Sequence, residues 1–116
     1  LRGVNVWPEA VGDIAMAVDG VERDYFVRAV RDGRRDELVV SVVSARPEGE
    51  YDAIRDEIER RLQSKLGVKI RAEVVRWDDL IDAGSYAEVA RRGRQRLEGK
   101  TYEVQDGDVL TVRFNV

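Results

Sequence analysis

The chain has 116 residues, 43% of them apolar and 37% charged, with a formal net charge of -3. A chain of this size buries about two thirds of its unfolded surface without a disulfide or metal staple, and its slight acidic excess argues against general affinity for nucleic acid, which rests on phosphate neutralisation. With no cysteine and no histidine, it excludes disulfides, thiol nucleophiles, Cys/His zinc sites and every Ser-His or Cys-His catalytic arrangement.

No run is long and apolar enough to cross a bilayer, and no basic stretch followed by an apolar h-region stands at the start. A cytoplasmic location without membrane contact is expected, and no cofactor or metal. The first residue is Leu1 rather than Met, already inside a patterned stretch, which points to a piece of a longer protein or to an engineered chain.

Val4 to Pro8 reads as a short extended entry into a helix, with Pro8 at the first helical position, where its missing N–H costs nothing. Ala10, Val11, Ile14, Ala15 and Val18 recur at helical spacing and predict a core-facing stripe, with Gly20 placed as a left-handed cap. Two β-rich segments follow, Asp24 to Arg31 and Glu37 to Ser44, joined through Asp32-Gly33-Arg34-Arg35 as a tight antiparallel hairpin. Pro47 and Gly49 break the pattern. From Glu50 to Leu66, Tyr51, Ile54, Ile58, Leu62 and Leu66 line one face of a charged helix that Gly67 ends. Glu48, Glu50 and Asp52 near its start, and Arg60, Arg61 and Lys65 near its end, match the helix dipole.

The stretch from Gly67 to Trp77 alternates Val68, Ile70, Ala72 and Val74 with Lys69, Arg71 and Glu73, the period of a half-buried strand, here expected to be central. In order these elements give βαββαβ, the pattern of an α+β, ferredoxin-like sandwich with two helices on one face of an antiparallel sheet.

Residues 1–75 resemble the C-terminal domain of the phenylacetate-coenzyme A ligase family. The resemblance lies in the opening Arg2-Gly3-Val4-Asn5-Val6-Trp7-Pro8, the Arg31-Asp32-Gly33 hairpin with Asp36-Glu37-Leu38, and Leu66-Gly67-Val68-Lys69-Ile70. It implies a mobile lid that rotates over a larger N-terminal domain between adenylation and transfer to coenzyme A, and hence that ligase N-terminal domain as a partner. The family's lid usually ends in a Ser-Glu-Gly-Lys-Ala-like stretch whose lysine serves adenylation by stabilising developing charge. Leu97-Glu98-Gly99-Lys100-Thr101 is similar but stands too far along the chain. Lys100 is therefore a catalytic candidate only by that likeness, against its reading as an exposed turn lysine.

After the strand, Asp78 and Asp79 read as caps of a short helix through Leu80, Ile81 and Ala83; no metal-ligand spacing supports a paired-carboxylate site. Ser85 caps a second short helix, Tyr86 to Arg92. Arg91, Arg92, Arg94, Arg96 and Lys100 form the basic cluster to weigh as an RNA or phosphate contact, although Tyr102 is the sole aromatic interleaved with it and a solvated polar face is the plainer reading. Gly99-Lys100-Thr101 ends like a phosphate-binding loop, but the glycine needed five residues earlier is Arg94. Thr101 to Gln105 and Val109 to Val116 are expected to form a hairpin around Asp106-Gly107.

Residues 70–116 resemble the C-terminal end of the YchF-type (Obg-like) GTPase/ATPase family, through Ile70-Arg71-Ala72-Glu73-Val74-Val75, Ala83-Gly84-Ser85, Arg96-Leu97-Glu98-Gly99-Lys100 and the run from Tyr102 to Val109 with Arg113-Phe114-Asn115-Val116. The resemblance implies the end of a TGS domain, a ubiquitin-like β-grasp module associated with RNA, ribosome or regulatory contacts, without its GTPase domain.

The two resemblances share the strand 68–75. The expectation is a single domain over 1–116: a ferredoxin-like sandwich extended by a β-grasp-like helix and hairpin, recombined or designed, non-catalytic and without autonomous activity. The alternatives are a ligase lid and a TGS-like RNA- or ribosome-binding module.

Overall fold

The computed structural model describes residues 2–32, 35–76, 101–103 and 110–114. Six strands and two α-helices follow one another as β1 (Arg2–Val6), α1 (Pro8–Met16), β2 (Val21–Asp32), β3 (Arg35–Ser44), α2 (Tyr51–Leu66), β4 (Arg71–Val75), β5 (Thr101–Glu103) and β6 (Leu110–Phe114), with a 3₁₀ turn, Glu48–Glu50, leading into α2. This is an α+β architecture with a four-stranded mixed sheet in the order β4-β3-β2-β5 and a two-stranded ribbon, β1-β6.

Helix α1 starts as its sequence dictates, with Pro8 in the first turn, and buries Val11, Ala15 and, just past its end, Val18. Gly20 is not its cap. The helix stops at Met16 with Ala17 still right-handed, because the Val18 N–H donates to Ala15 O at 3.2 Å and tightens the exit. Gly20, at φ 91°, instead turns the chain into β2, and its carbonyl accepts the Ser44 hydroxyl at 2.7 Å.

Helix α2 buries Ile54, Ile58 and Leu62, with Leu66 packed partly against the same core. Gly67 ends it in the left-handed conformation (φ 73°), its N–H donating to Gln63 O at 2.9 Å. Pro47 precedes the helix, and its carbonyl accepts the Glu50 N–H at 2.9 Å in the 3₁₀ turn.

The β2–β3 hairpin is longer than the sequence pattern suggests, and its register closes with Asp32 opposite Arg35. A register irregularity between Val21 and Tyr25 bends the far end of β2. Val27 and Ala29 of β2, Leu38, Val40 and Val42 of β3 and Ala72 of β4 face the helices. With Val6, Val11, Ala15, Ile54, Ile58, Leu62, Val68 and Ile70 they make one continuous core, each fully buried Val, Leu or Ile contributing about 1.5–3 kcal/mol.

Four expectations about the sheet are corrected. In a ferredoxin-like sandwich β1 stands between β3 and β4; here β3 and β4 are direct neighbours and pair in parallel, Val39 opposite Arg71 through Val43 opposite Val75. The sheet is therefore mixed rather than antiparallel, since α2 returns β4 alongside β3 as a crossover connection. Among the described residues β4 lies at the end of the strand order rather than at its centre. Finally, among the described residues β5 and β6 pair with other strands rather than with each other. β5 pairs antiparallel with β2, Ala29 opposite Tyr102, and β6 pairs antiparallel with β1, Arg2 opposite Phe114 through Val6 opposite Leu110. The backbone amides and carbonyls along β1 and the outer edge of β2 draw each strand to a separate partner.

Two predictions follow from the helices. Gly12 is buried in α1, and a Cβ there would stand only 2.3–2.7 Å from three atoms of the Tyr25 ring. Gly12→Ala should therefore lose about 1–3 kcal/mol by urea denaturation, despite the better helix propensity of alanine, and combining it with Tyr25→Val should restore most of the loss. Glu57, hydrogen-bonded first to Arg60 and then to Arg61, has its carboxyl lowered from the ordinary 4.5 to about 2. Its contribution to stability is thus present above pH 4.5 and is lost as the pH falls towards 2. A carboxyl NMR titration should find the Glu57 midpoint near 2, moving upward in Arg60→Ala and Arg61→Ala.

Candidate functional site

Arg91, Arg92, Arg94, Arg96 and Lys100, the residues singled out by sequence, lie outside the described residues, as do Asp78 and Asp79. Among the described residues no group of three or more His, Cys, Asp or Glu is arranged to hold a metal ion.

Two polar constellations stand out in the described part. The first crosses three strands on the sheet face turned away from the helices. Ser41 is opposite Glu73 in the β3–β4 register and opposite Phe26 in the β2–β3 register, so alternation brings Arg28, two residues beyond Phe26, onto the same face. Arg28 Nη1 donates to Glu73 Oε1 at 2.8 Å and to Ser41 Oγ at 3.4 Å, while the Ser41 hydroxyl donates to Glu73 Oε1. Burial pushes the Glu73 carboxyl up, but hydrogen bonds from Arg28 and Ser41, with the nearby positive charge of Arg28, hold it below the ordinary carboxylate range. Phe26, Val43 and Val75 make a small apolar cluster on this face.

This serine and carboxylate do not make a nucleophile and base. Ser41 is fully buried, beyond the reach of a substrate, and Glu73 is kept ionised by a cation it already holds. The arrangement orients and neutralises, joining β2, β3 and β4 by side chains as well as by main chain. Sequence reasoning passed over it, although a signal exists: Ser41 is the one polar residue in the run Leu38-Val39-Val40-Ser41-Val42-Val43, and a buried hydroxyl requires a partner.

The second constellation closes the other end of the hairpin. Ser44 Oγ, besides donating to Gly20 O, accepts the Arg46 N–H at 3.0 Å, and the Arg46 guanidinium reaches Asp19 at 2.8 Å and Glu50 at 3.3 Å. Beside it opens a recess of about 210 Å³ lined by Val18, Asp19, Glu50, Ala53, Ile54, Glu57 and Arg61. Its carboxylates are committed: Asp19 and Glu50 to Arg46, and Glu57 to Arg60 and Arg61 at 2.8 and 2.7 Å. Such exposed pairs hold local geometry and contribute little net energy.

Comparison with known proteins gives two overlapping likenesses. The sequence model of the AMP-binding enzyme C-terminal domain matches residues 3–90. That of the YchF-GTPase C-terminal family, described as a protein of unknown function (DUF933), matches residues 67–115, so the two overlap over 67–90, more widely than the shared strand expected from sequence. The chain is 55% identical over 47 residues to the ribosome-binding ATPase YchF of Bacillus subtilis and 53% identical over 47 residues to Obg-like ATPase 1 of Oryza sativa. Each alignment covers 40% of this chain, but the chain spans only 13% and 12% of those relatives. Among solved structures, a domain of phenylacetate-coenzyme A ligase from Bacteroides vulgatus superposes with a TM-score of 0.58 at 26% identity, covering 66% of this chain and 76% of that one. A 2-hydroxyisobutyryl-CoA ligase shares the fold at 23% identity and a TM-score of 0.55, the match covering 60% of this chain and 16% of that one. Matched over most of its length, the chain belongs to the AMP-binding enzyme C-terminal domain family, and its last part is similar to the C-terminal part of YchF-type proteins.

Proposed function

We propose that the chain is a non-catalytic α+β domain in which a ligase-type C-terminal domain is completed by a YchF-type C-terminal segment, the two folding as one unit over residues 1–116. The supporting observation is strand pairing. β5 and β6 lie in the YchF-like part, and their partners β2 and β1 lie in the ligase-like part. A segment engaged in satisfying main-chain groups of two separate strands serves the fold first. This pairing also favours a recombined or designed origin.

Lys100 lies beyond residue 90, where the ligase-type match ends, which favours the turn-lysine reading over adenylation. The likeness to accessory parts of much longer proteins supports the absence of an activity of its own, and leaves a lid-like association with a ligase N-terminal domain as the partner reading to test.

A second reading has one observation behind it. The relatives of the last part include proteins named ribosome-binding ATPases, and Arg91, Arg92, Arg94, Arg96 and Lys100 fall in or beside the stretch they share. An RNA or ribosome contact through these residues follows from that likeness.

Thermal melting followed by tryptophan fluorescence and by far-UV circular dichroism should give coincident transitions, and removing residues 77–116 should lower Tm by about 10 °C or more by leaving β1 and β2 edges unpaired. Separate transitions would contradict the single unit. In trans, an aryl-CoA ligase N-terminal domain should form no thioester above background when this chain is added; product formation would replace the non-catalytic reading with the lid. Titration of labelled RNA at low salt tests the second reading: binding should weaken at least about tenfold when Arg91, Arg92, Arg94 and Arg96 become Ala, and affinity that is absent or unchanged removes it.

A further inference from the structure

β3 and β4 run parallel, and β2 runs antiparallel both to β3 and to β5. β4 and β5 therefore point the same way from opposite ends of the order β4-β3-β2-β5, and residues 76–100 join them. That connection has to return from the finishing end of β4 to the starting end of β5 and pass β3 and β2 on the way, a sideways step of about 14 Å at the usual strand spacing. A return of this kind takes about a dozen residues or more, and the length suffices.

The crossing can use either face of the sheet, and one is filled. α1 and α2 pack on it through Val11, Ala15, Ile54, Ile58 and Leu62. Handedness points the same way. The β3–α2–β4 crossover steps outward from β3 to β4 with its helix on that face, whereas the step from β4 to β5 runs in the opposite direction. Crossovers between parallel strands are right-handed in nearly every case, so two that step in opposite directions lie on opposite faces.

The face turned away from the helices is shielded like an interior. Phe26 is 8% exposed and Val43 7%, yet their apolar company there among the described residues is the partly buried Val75. Two valines on a flat sheet do not shield a phenylalanine ring so fully. Residues 77–100 contain the apolar side chains that would, in Trp77, Leu80, Ile81, Tyr86 and Val89. The charged groups bordering the patch are already paired, Arg28 with Glu73 and Arg71 with Glu37, so an apolar cover meets no uncompensated charge from them.

We propose that residues 77–100 cross the sheet face opposite the helices and seat apolar side chains over Phe26, Val43 and Val75, making the four-stranded sheet a middle layer. The stretch that carries Arg91, Arg92, Arg94 and Arg96 then belongs to the side of the sheet remote from α1 and α2. This placement does not depend on either functional reading above.

Nuclear Overhauser spectroscopy on the intact, isotope-labelled chain tests it. The Phe26 ring and the Val43 and Val75 methyls should show contacts with side chains of residues 77–100, and the Ile58 and Leu62 methyls beneath the helices should show none with that segment. Contacts of the segment with the helix face instead, or a Phe26 ring covered only by residues 104–116, would overturn the proposal. So would contacts seen only between differently labelled copies in a mixed sample, which would make a second chain the cover. A single thiol gives an independent readout, since the chain has no cysteine. Val43→Cys should react with an aromatic disulfide reagent at least about tenfold faster once Trp77, Leu80, Ile81, Tyr86 and Val89 are replaced by serine, while Val40→Cys, on the helix face, should keep its rate. An unchanged rate at Val43→Cys would also overturn the proposal; should the serine variant unfold and raise both rates alike, the Overhauser contacts decide.

Discussion

Every residue of β3 from Leu38 to Ser44 is buried, and this one requirement organises the molecule. A strand buried on both faces needs cover above, cover below and a hydrogen-bonding neighbour on each side. Helices α1 and α2 supply the first through Val11, Ala15, Ile58 and Leu62, while β2 and β4 supply the lateral neighbours. On the far face, where Val43 meets Phe26 and Val75, the single hydroxyl of Ser41 has to be satisfied. Glu73 and Arg28 meet that need and neutralise each other. A charged pair on a mostly apolar face is thus explained by one serine in a valine-rich strand.

Much of this was legible along the chain because it is local. The stripe Ile54, Ile58, Leu62 states which side of α2 is covered, Pro8 marks where α1 begins, Gly67 marks where α2 ends, and the alternation from Val68 to Val74 gives the correct buried face of β4. What failed was non-local. Period-2 alternation says which side chains are inside but not which strand lies alongside, so it did not reveal that β1 leaves the main sheet for β6, or that β4 docks directly on β3. The Asp-Gly signal between Val104 and Val109 suggested that β5 and β6 pair with each other; the open edges of β2 and β1 compete for the same main-chain groups and win. The Gly20 error has a smaller cause: a glycine near a helix end marks a positive φ, and the turn it served was the next one. The basic residues of the candidate site lie outside the described residues, so their chemistry rests on likeness rather than on geometry.

Strand addition also explains how sequence resembling two families coexists in one chain. Ladder hydrogen bonds are made by the main chain and are nearly blind to side-chain identity, whereas core packing is not. Among the described residues, the ligase-like part supplies the core residues grouped around β3, from Val6 to Ala72. The later strands attach at its margins, where tolerance is greatest. Divergence at the rim is cheap in stability, and conflict at the centre would not be.

The ribbon of β1 and β6 carries a geometric consequence. Because Arg2 lies opposite Phe114, the polypeptide enters and leaves the described structure side by side. A unit with adjacent attachment points can be spliced into a surface loop of a host, or closed into a ring with its old ends joined, without stretching anything in between. Pulling on both attachment points would load the five-residue ladder one rung at a time, like a zip, so the ribbon would yield to force before the sheet behind it.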